Sequence, residues 1–319
     1  MKRTRASTRI KKLNEQNESE SPAGLEKENE EKNLQVFVGT EFFIFVMVCN
    51  LKINFQKNEK DPKKVVKKIT AKTVEDLESI KDELQQLNDP PSTPWEKEIS
   101  SLRLPFSFYD SPCETLAKKM LGKILVRKLD DGTILKGRIV ETESYLGIVD
   151  KASATYQGKV TPRNIPMYMD PGTIFVYLTY GMYHCFNISS GGEGSSVFLR
   201  AVEPLEGIDK MKENRNSKSS SKAPKKASKD FKVHDLCNGP SKLCMALDIK
   251  KEHTKYSMCS WKGMWIEEDP NKEEINIVSC SRIGIDSAGV EWASKPLRFY
   301  ILGNESVSKR DKKAESSFL

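Results

Sequence analysis

The spacing of apolar positions changes several times along this chain, and each change marks an element. From residue 73, Val74, Leu77, Ile80, Leu84 and Leu87 recur at three and four residues behind Thr73 and Asp76, predicting a capped amphipathic helix over about 73–88. Pro90, Pro91 and Pro94 break that pattern, and the domain start is placed shortly afterwards, near Ser100. Ser111-Pro112-Cys113-Glu114 reads as a helix start, with Ser as cap, Pro in the first position and Glu reaching back, for a helix through Leu121. Residues 124–128 and 134–145 are predicted strands around the turn Asp130-Asp131-Gly132-Thr133. Two aromatic and β-branched runs over 173–189 meet at Tyr180-Gly181 as a second hairpin. Residues 234–249 suggest a turn and then a helix, and 275–285 and 297–302 further strands. Strands and helices interleave without a regular βαβ repeat, which gives an α+β class.

The first hundred residues differ in kind. Residues 1–12 carry six basic side chains and no acidic one, which fits a nuclear address or no function at all. Residues 14–33 are rich in Glu and Asn and are expected to be disordered. Residues 34–55, including Phe42-Phe43-Ile44-Phe45-Val46, have high strand propensity and no functional account. They fit a hairpin on the main domain or an exposed aggregation-prone stretch. The expected organisation is a mostly disordered, charged region over 1–100, one folded domain over 101–305, and a disordered tail over 306–319.

Composition agrees with a partly folded chain: 37% of the 319 residues are apolar against 30% charged, and the mean hydropathy is −0.56. The apolar run 42–49 is too short for a membrane span of about 20 residues, and it lies behind a charged leader, unlike a secretory signal. Seven cysteines without a C-x-x-C pair read as reduced thiols of an intracellular protein. With only His184, His234 and His253 beside them, no metal site is expected. Residues 210–232 hold nine basic and two acidic side chains, an excess equal to the net charge of +7 of the whole chain. Their Ser, Lys and Ala composition predicts a flexible basic loop, either a solvated insertion or a phosphate-contacting arm.

Two segments could carry chemistry. Alternation over residues 139–145 places Ile139, Glu141, Glu143 and Tyr145 on one face of an extended strand. Taken alone, the pair of carboxylates is better read as an exposed face with ion pairs. The hairpin crowds Phe175, Tyr177, Tyr180, Tyr183 and Phe186 into a short span. Most are expected in the core, but Tyr180 beside Gly181 projects outward in a way that suits wedging between base pairs.

Five runs in order carry a resemblance to the alkyladenine (3-methyladenine) DNA glycosylase family. They are residues 137–147, Thr161-Pro162-Arg163-Asn164, Tyr180-Gly181-Met182-Tyr183 with Asn187, Leu199-Arg200-Ala201, and Asn238-Gly239-Pro240-Ser241-Lys242-Leu243. The resemblance covers about residues 104–302 and none of the first hundred. It implies a single mixed α+β domain with a curved, mainly antiparallel sheet, flanking helices and a protruding β-hairpin. It also implies a nuclear, monomeric, cofactor-free monofunctional glycosylase that flips alkylated or deaminated purines from double-stranded DNA and hydrolyses the N-glycosidic bond. The alternative is a catalytically weakened DNA-damage binding protein.

Family positions then imply roles. Glu143 matches the general base, and Arg200 and the carbonyl of Ile283 match groups that hold its water. Tyr145 and Tyr177 match the rings that sandwich the base, favouring cationic purines, and Asn187 the residue that excludes guanine. Tyr180, with Met182 beside it, matches the side chain that fills the gap left in the duplex. Thr161, Arg163 and Lys242 are assigned to the DNA backbone. A histidine of the family's base pocket falls on Ala154, which implies weakened or narrowed activity. For Tyr177 and Asn187 to share a face, the turn between them must hold an odd number of unpaired residues, such as Tyr180-Gly181-Met182 with Gly181 left-handed.

Overall fold

A computed structural model of the protein describes residues 77, 80, 82, 84–217, 229–271 and 274–318, all within one compact unit, Lys60–Leu319. The basic leader, the polar segment 14–33 and the apolar run 34–55 lie outside the described residues.

In chain order the elements are α1 (Pro94–Ile99), α2 (Phe106–Tyr109), α3 (Cys113–Met120), β1 (Ile124–Lys128), β2 (Ile134–Tyr145), β3 (Ile174–Thr179), β4 (Tyr183–Ser189) and β5 (Ser196–Glu206). There follow α4 (Ile208–Ser217), α5 (Pro240–Ala246), β6 (Met264–Glu267), β7 (Ile277–Cys280), α6 (Val290–Ser294), β8 (Arg298–Ile301) and α7 (Lys312–Glu315). All pairings between the named strands are antiparallel, in the order β3-β4-β5-β2-β1-β6, which makes this an α+β fold.

The twelve-residue β2 organises the sheet. One of its edges carries β5 along its length; the other pairs first with β1, up to Arg138, and then with β8, from Glu141 to Glu143. Register shifts against β5 on both sides of Glu141 coincide with this change of neighbour, and such bulges bend and twist a strand locally. Thr142 and Ser144 face α3, where their hydroxyls donate to the carbonyls of Ala117 (2.9 Å) and Cys113 (3.4 Å). Leu116, Ala117 and Met120 of that helix are fully buried against the sheet core formed by Ile139, Val140, Leu199, Phe186 and Phe299.

Several expectations need correction. Ser111 does not cap α3: its hydroxyl bonds the Phe108 carbonyl, and Glu114 pairs instead with Lys118 at 2.8 Å. The folded body begins well before residue 100. Ile80, Leu77 and Leu84 of the expected helix pack on Val160, Ile165 and Met169. Asp89 pairs with Lys262 at 3.0 Å, and Thr93 and Glu96 form a capping box on α1. The proline run was placed ahead of the domain because the partners of Asp89, Trp261 and Lys262, lie more than 150 residues away.

The tail after residue 305 is folded rather than disordered. Val307 joins the core, Asp311 caps α7, and the Tyr300 hydroxyl accepts the Asp311 N–H at 2.8 Å and donates to Glu315 at 2.9 Å. The basic loop also begins later than expected. Residues up to Ser217 are helical, Met211 is buried, and Arg215 donates to the carbonyls of Asp235 and Leu236. Residues 218–228 lie outside the described residues. Among the described residues no helix is long and apolar enough to cross a membrane, and six of the cysteines are free thiols.

Candidate active site

Strand register assembles the site from distant parts of the chain. Phe175 on β3 pairs with Asn187 on β4, Asn187 with Phe198 on β5, Phe198 with Glu143 on β2, and Glu143 with Arg298 on β8. Directly paired residues present their side chains on one face, so these five form a row across five strands. The next row on that face is Ser189, Ser196 and Tyr145.

The hairpin meets the geometric demand read from the sequence. Thr179 pairs with Tyr183, leaving Tyr180-Gly181-Met182 unpaired, and Tyr177 pairs with Cys185, two positions nearer the turn than the Phe175–Asn187 pair. Both Tyr180 (φ 51°) and Gly181 (φ 70°) are left-handed, where only Gly181 was expected to be. A tyrosine in that region is held at an energetic cost of about 1–3 kcal/mol. Its ring is not stabilised by burial here: Tyr180 is 87% exposed and Met182 63%.

Below the hairpin lies a cavity of about 390 Å³ lined by Tyr145, Ala154, Thr161, Arg163, Tyr177 and Asn187, with Ala152, Ser153, Met167 and Phe175 among its other walls. The sequence-predicted pocket residues are thus brought together, while Thr161 and Arg163, expected on the DNA backbone, join them in the same wall. The Arg163 guanidinium sits 4.5 Å from the centre of the Tyr177 ring, and that of Arg282 sits 4.7 Å from the Tyr145 ring. The Asn187 amide donates to the Phe175 carbonyl at 3.4 Å, which orients its side chain. Lys242 is not in this wall; it is on α5 and donates to Asn238 at 2.7 Å.

Glu143 lies behind Tyr145 rather than in the cavity wall, with no solvent-exposed surface. The expected exposed face of ion pairs is therefore buried. Oε1 of Glu143 accepts the Ile283 N–H at 2.9 Å and faces Arg200 Nη1 at 3.1 Å, and Oε2 accepts the Tyr145 hydroxyl at 3.1 Å. Ile283 meets the carboxylate through its amide N–H; the resemblance implied that its carbonyl holds the water. Burial pushes the Glu143 carboxyl above the ordinary glutamate range, opposed by Arg200, the Ile283 amide and the Tyr145 hydroxyl, and reinforced by nearby Glu141. Burial also raises the Tyr145 and Tyr177 phenols, so both rings stay neutral.

Four supporting groups were given no role by the sequence reading. Arg282 and Asp150 form a fully buried pair, with Nη1–Oδ2 at 2.6 Å and Nη2–Oδ1 at 3.0 Å. Asp150 also accepts the amides of Leu146 and Ala152, and Arg282 donates to the Ser144 carbonyl. This pair joins the end of β2, the 150–154 wall and the Ile283 loop. Gly147 (φ 74°) lets the chain turn here; a Cβ would stand 2.0 Å from the Glu193 carbonyl oxygen. Asn164 accepts the Thr161 N–H at 2.7 Å and donates to the carbonyls of Ala154 and Lys159, both at 2.8 Å. The Thr161–Asn164 spacing was a legible turn signal. Glu141 is the fourth, and it bonds Arg200 and Arg298.

Comparison with known proteins identifies the family. Residues 107–305 match the family described as methylpurine-DNA glycosylase. A DNA-3-methyladenine glycosylase of Mus musculus is 48% identical over 220 residues, covering 68% of this chain and 65% of that protein. Its namesake in Homo sapiens is 47% identical over 214 residues, covering 67% of this chain and 70% of its own. A putative 3-methyladenine DNA glycosylase of Clostridium tetani is 46% identical over 212 residues, which cover 66% of this chain and 100% of the bacterial one. By these matches the chain belongs to the methylpurine-DNA glycosylase family. It is a DNA glycosylase, a hydrolase of base excision repair.

Proposed function

We propose that the protein acts as a nuclear monomer on double-stranded DNA, flips an alkylated or deaminated purine into the cavity beneath the hairpin, and hydrolyses its N-glycosidic bond. A base within the stack hides its sugar carbon, so extrusion must precede chemistry, at a cost of a few kcal/mol that damage or mispairing reduces. Tyr180, exposed on a projecting turn with Met182 beside it, fills the gap left behind. Tyr145 and Tyr177 stack on the flipped base while Asn187 crowds an exocyclic amine of guanine. Each ring already faces a guanidinium, which offsets part of its attraction for a cationic base and leaves neutral deaminated purines within reach. Thr161, Arg163 and Lys242 hold the DNA backbone.

Glu143 is the general base. Its raised affinity for protons suits it to take one from a water that attacks the anomeric carbon, and its negative charge stabilises the oxocarbenium-like transition state. Arg200 and Ile283 orient that carboxylate and its water. A cationic purine needs no protein acid, because it leaves neutral.

The observation that carries this reading is the hydrogen bond from Tyr145, a wall of the cavity, to Glu143 behind it. The test is incubation with duplexes containing hypoxanthine or 1,N6-ethenoadenine, followed by detection of alkali-labile abasic sites. Product from the wild type that falls at least about 100-fold in Glu143→Gln, with binding to the damaged duplex retained, is the expected result. Tight binding by the wild type without product would make it a damage-binding module instead. Imaging of the full chain and of a variant lacking residues 1–12 tests the nuclear assignment.

A further inference from the structure

We propose that the C-terminal segment after residue 305, beyond the part that matches the family, is a positioning element of the active site, acting through the backbone N–H of Ser308 on Glu141. The inference builds on Glu143 as the base described above.

Glu141 has no exposed surface, and three donors hold it. Its Oε1 accepts Arg200 Nε at 3.2 Å and Arg298 Nη1 at 2.9 Å, and its Oε2 accepts the Ser308 N–H at 2.7 Å. Arg298 Nη1 also donates to the Lys309 carbonyl at 2.7 Å, so the same short segment grips both members of the pair. Val307 anchors the segment in the core. The Ser308 hydroxyl is buried without a partner, so the backbone amide is the group that acts.

The consequence concerns Arg200, which must serve two carboxylates at once: Nε on Glu141 and Nη1 on Glu143. Removing the Ser308 donor leaves Oε2 of a buried carboxylate unsatisfied, a costly state. The nearest remedy is a two-pronged grip by Arg200 on Glu141, which takes Nη1 away from Glu143. The groups that set the charge state of Glu143 are Arg200 on β5, Glu141 and Tyr145 on β2 and the Ile283 amide. Tyr177 on β3, Cys185 on β4 and Cys280 on β7 sense its charge. Losing Arg200 from this set raises the proton affinity of Glu143.

The experiment uses the full chain and three variants. Ser308→Pro deletes the N–H; it is expected to slow single-turnover base release about tenfold and to move the acid limb of the pH–rate profile to higher pH. Ser308→Ala keeps the N–H and is expected to restore the wild-type rate and limb. Equal impairment of both variants, or a wild-type profile for Ser308→Pro, would overturn the proposal. If Ser308→Pro does not fold, Glu141→Gln takes its place. That variant removes the neighbouring negative charge and is expected to move the limb to lower pH, and an unmoved or upward-shifted limb would count against the proposal. Titration of the Glu143 carboxyl carbon by NMR reads the same shifts without turnover, so failure of the glycosylase reading and failure of this inference remain distinct.

Discussion

The Tyr145 hydroxyl donates to Oε2 of Glu143 across 3.1 Å, so the wall on which a base would stack and the carboxylate that would activate water are parts of one hydrogen-bonded unit. Two residues apart on β2, both side chains project from the same face of the strand.

Tyr145→Phe keeps the ring and deletes that bond. The hydroxyl stabilises ionised Glu143, whose carboxyl burial already lifts above the ordinary value of 4.5, so deleting it lifts the carboxyl further. The base must be ionised to act, and activity is lost as pH falls through its pKa. The acid limb of base release from hypoxanthine duplexes is therefore expected above 4.5 in the wild type and at higher pH again in Tyr145→Phe.

Ala154 lines the cavity, and its carbonyl is fixed by Asn164 at 2.8 Å, so the backbone of this wall is formed although the side chain is small. Ala154→His is expected to raise base release from at least one damaged purine by about tenfold, the worth of one added hydrogen bond in a partly desolvated site. No change on a panel of hypoxanthine, ethenoadenine and alkylpurine duplexes would make the position irrelevant.

Deleting residues 218–228 removes four lysines and spares α4, whose Met211 and Arg215 are tied to the core. If these lysines neutralise DNA phosphates, the slope of log binding constant against log salt becomes shallower by about 0.9 for each phosphate that is no longer neutralised. An unchanged slope in a binding titration would mark the insertion as merely solvated.

Asp150→Asn leaves Arg282 buried without its counter-charge. The expected loss is about 3–5 kcal/mol of stability, measured by denaturant unfolding, because the remaining cation has no access to water. Base release should fall with it, since the pair ties the 150–154 wall to the Ile283 loop.

Local signals read well wherever the partner lies close in sequence. Strands at 124–128 and 134–145 form with the predicted bounds, because alternation and the Gly132 turn act within a few residues. β5 and β6 were missed although β5 pairs with both β4 and β2. A strand buried on both sides shows a continuous apolar run instead of alternation, and Ser196 to Val202 is buried throughout. The Ser111 cap failed for the opposite reason: a good local motif yielded to a nearby carbonyl of Phe108.

The sequence by itself determined the class of fold, the family, and four of the residues that line the cavity, Tyr145, Ala154, Tyr177 and Asn187, because motifs and period-two alternation are properties of neighbouring positions. Only the tertiary structure decided that Glu143 is buried behind Tyr145, that Asp150 and Arg282 brace the wall, and that the segment after residue 305 reaches Glu141. Most of those relationships join residues more than 100 positions apart through strand register and buried charge. Neither leaves a periodic trace along the chain, since a carboxylate bonded to a distant arginine and one facing water occupy the same kind of position in a strand.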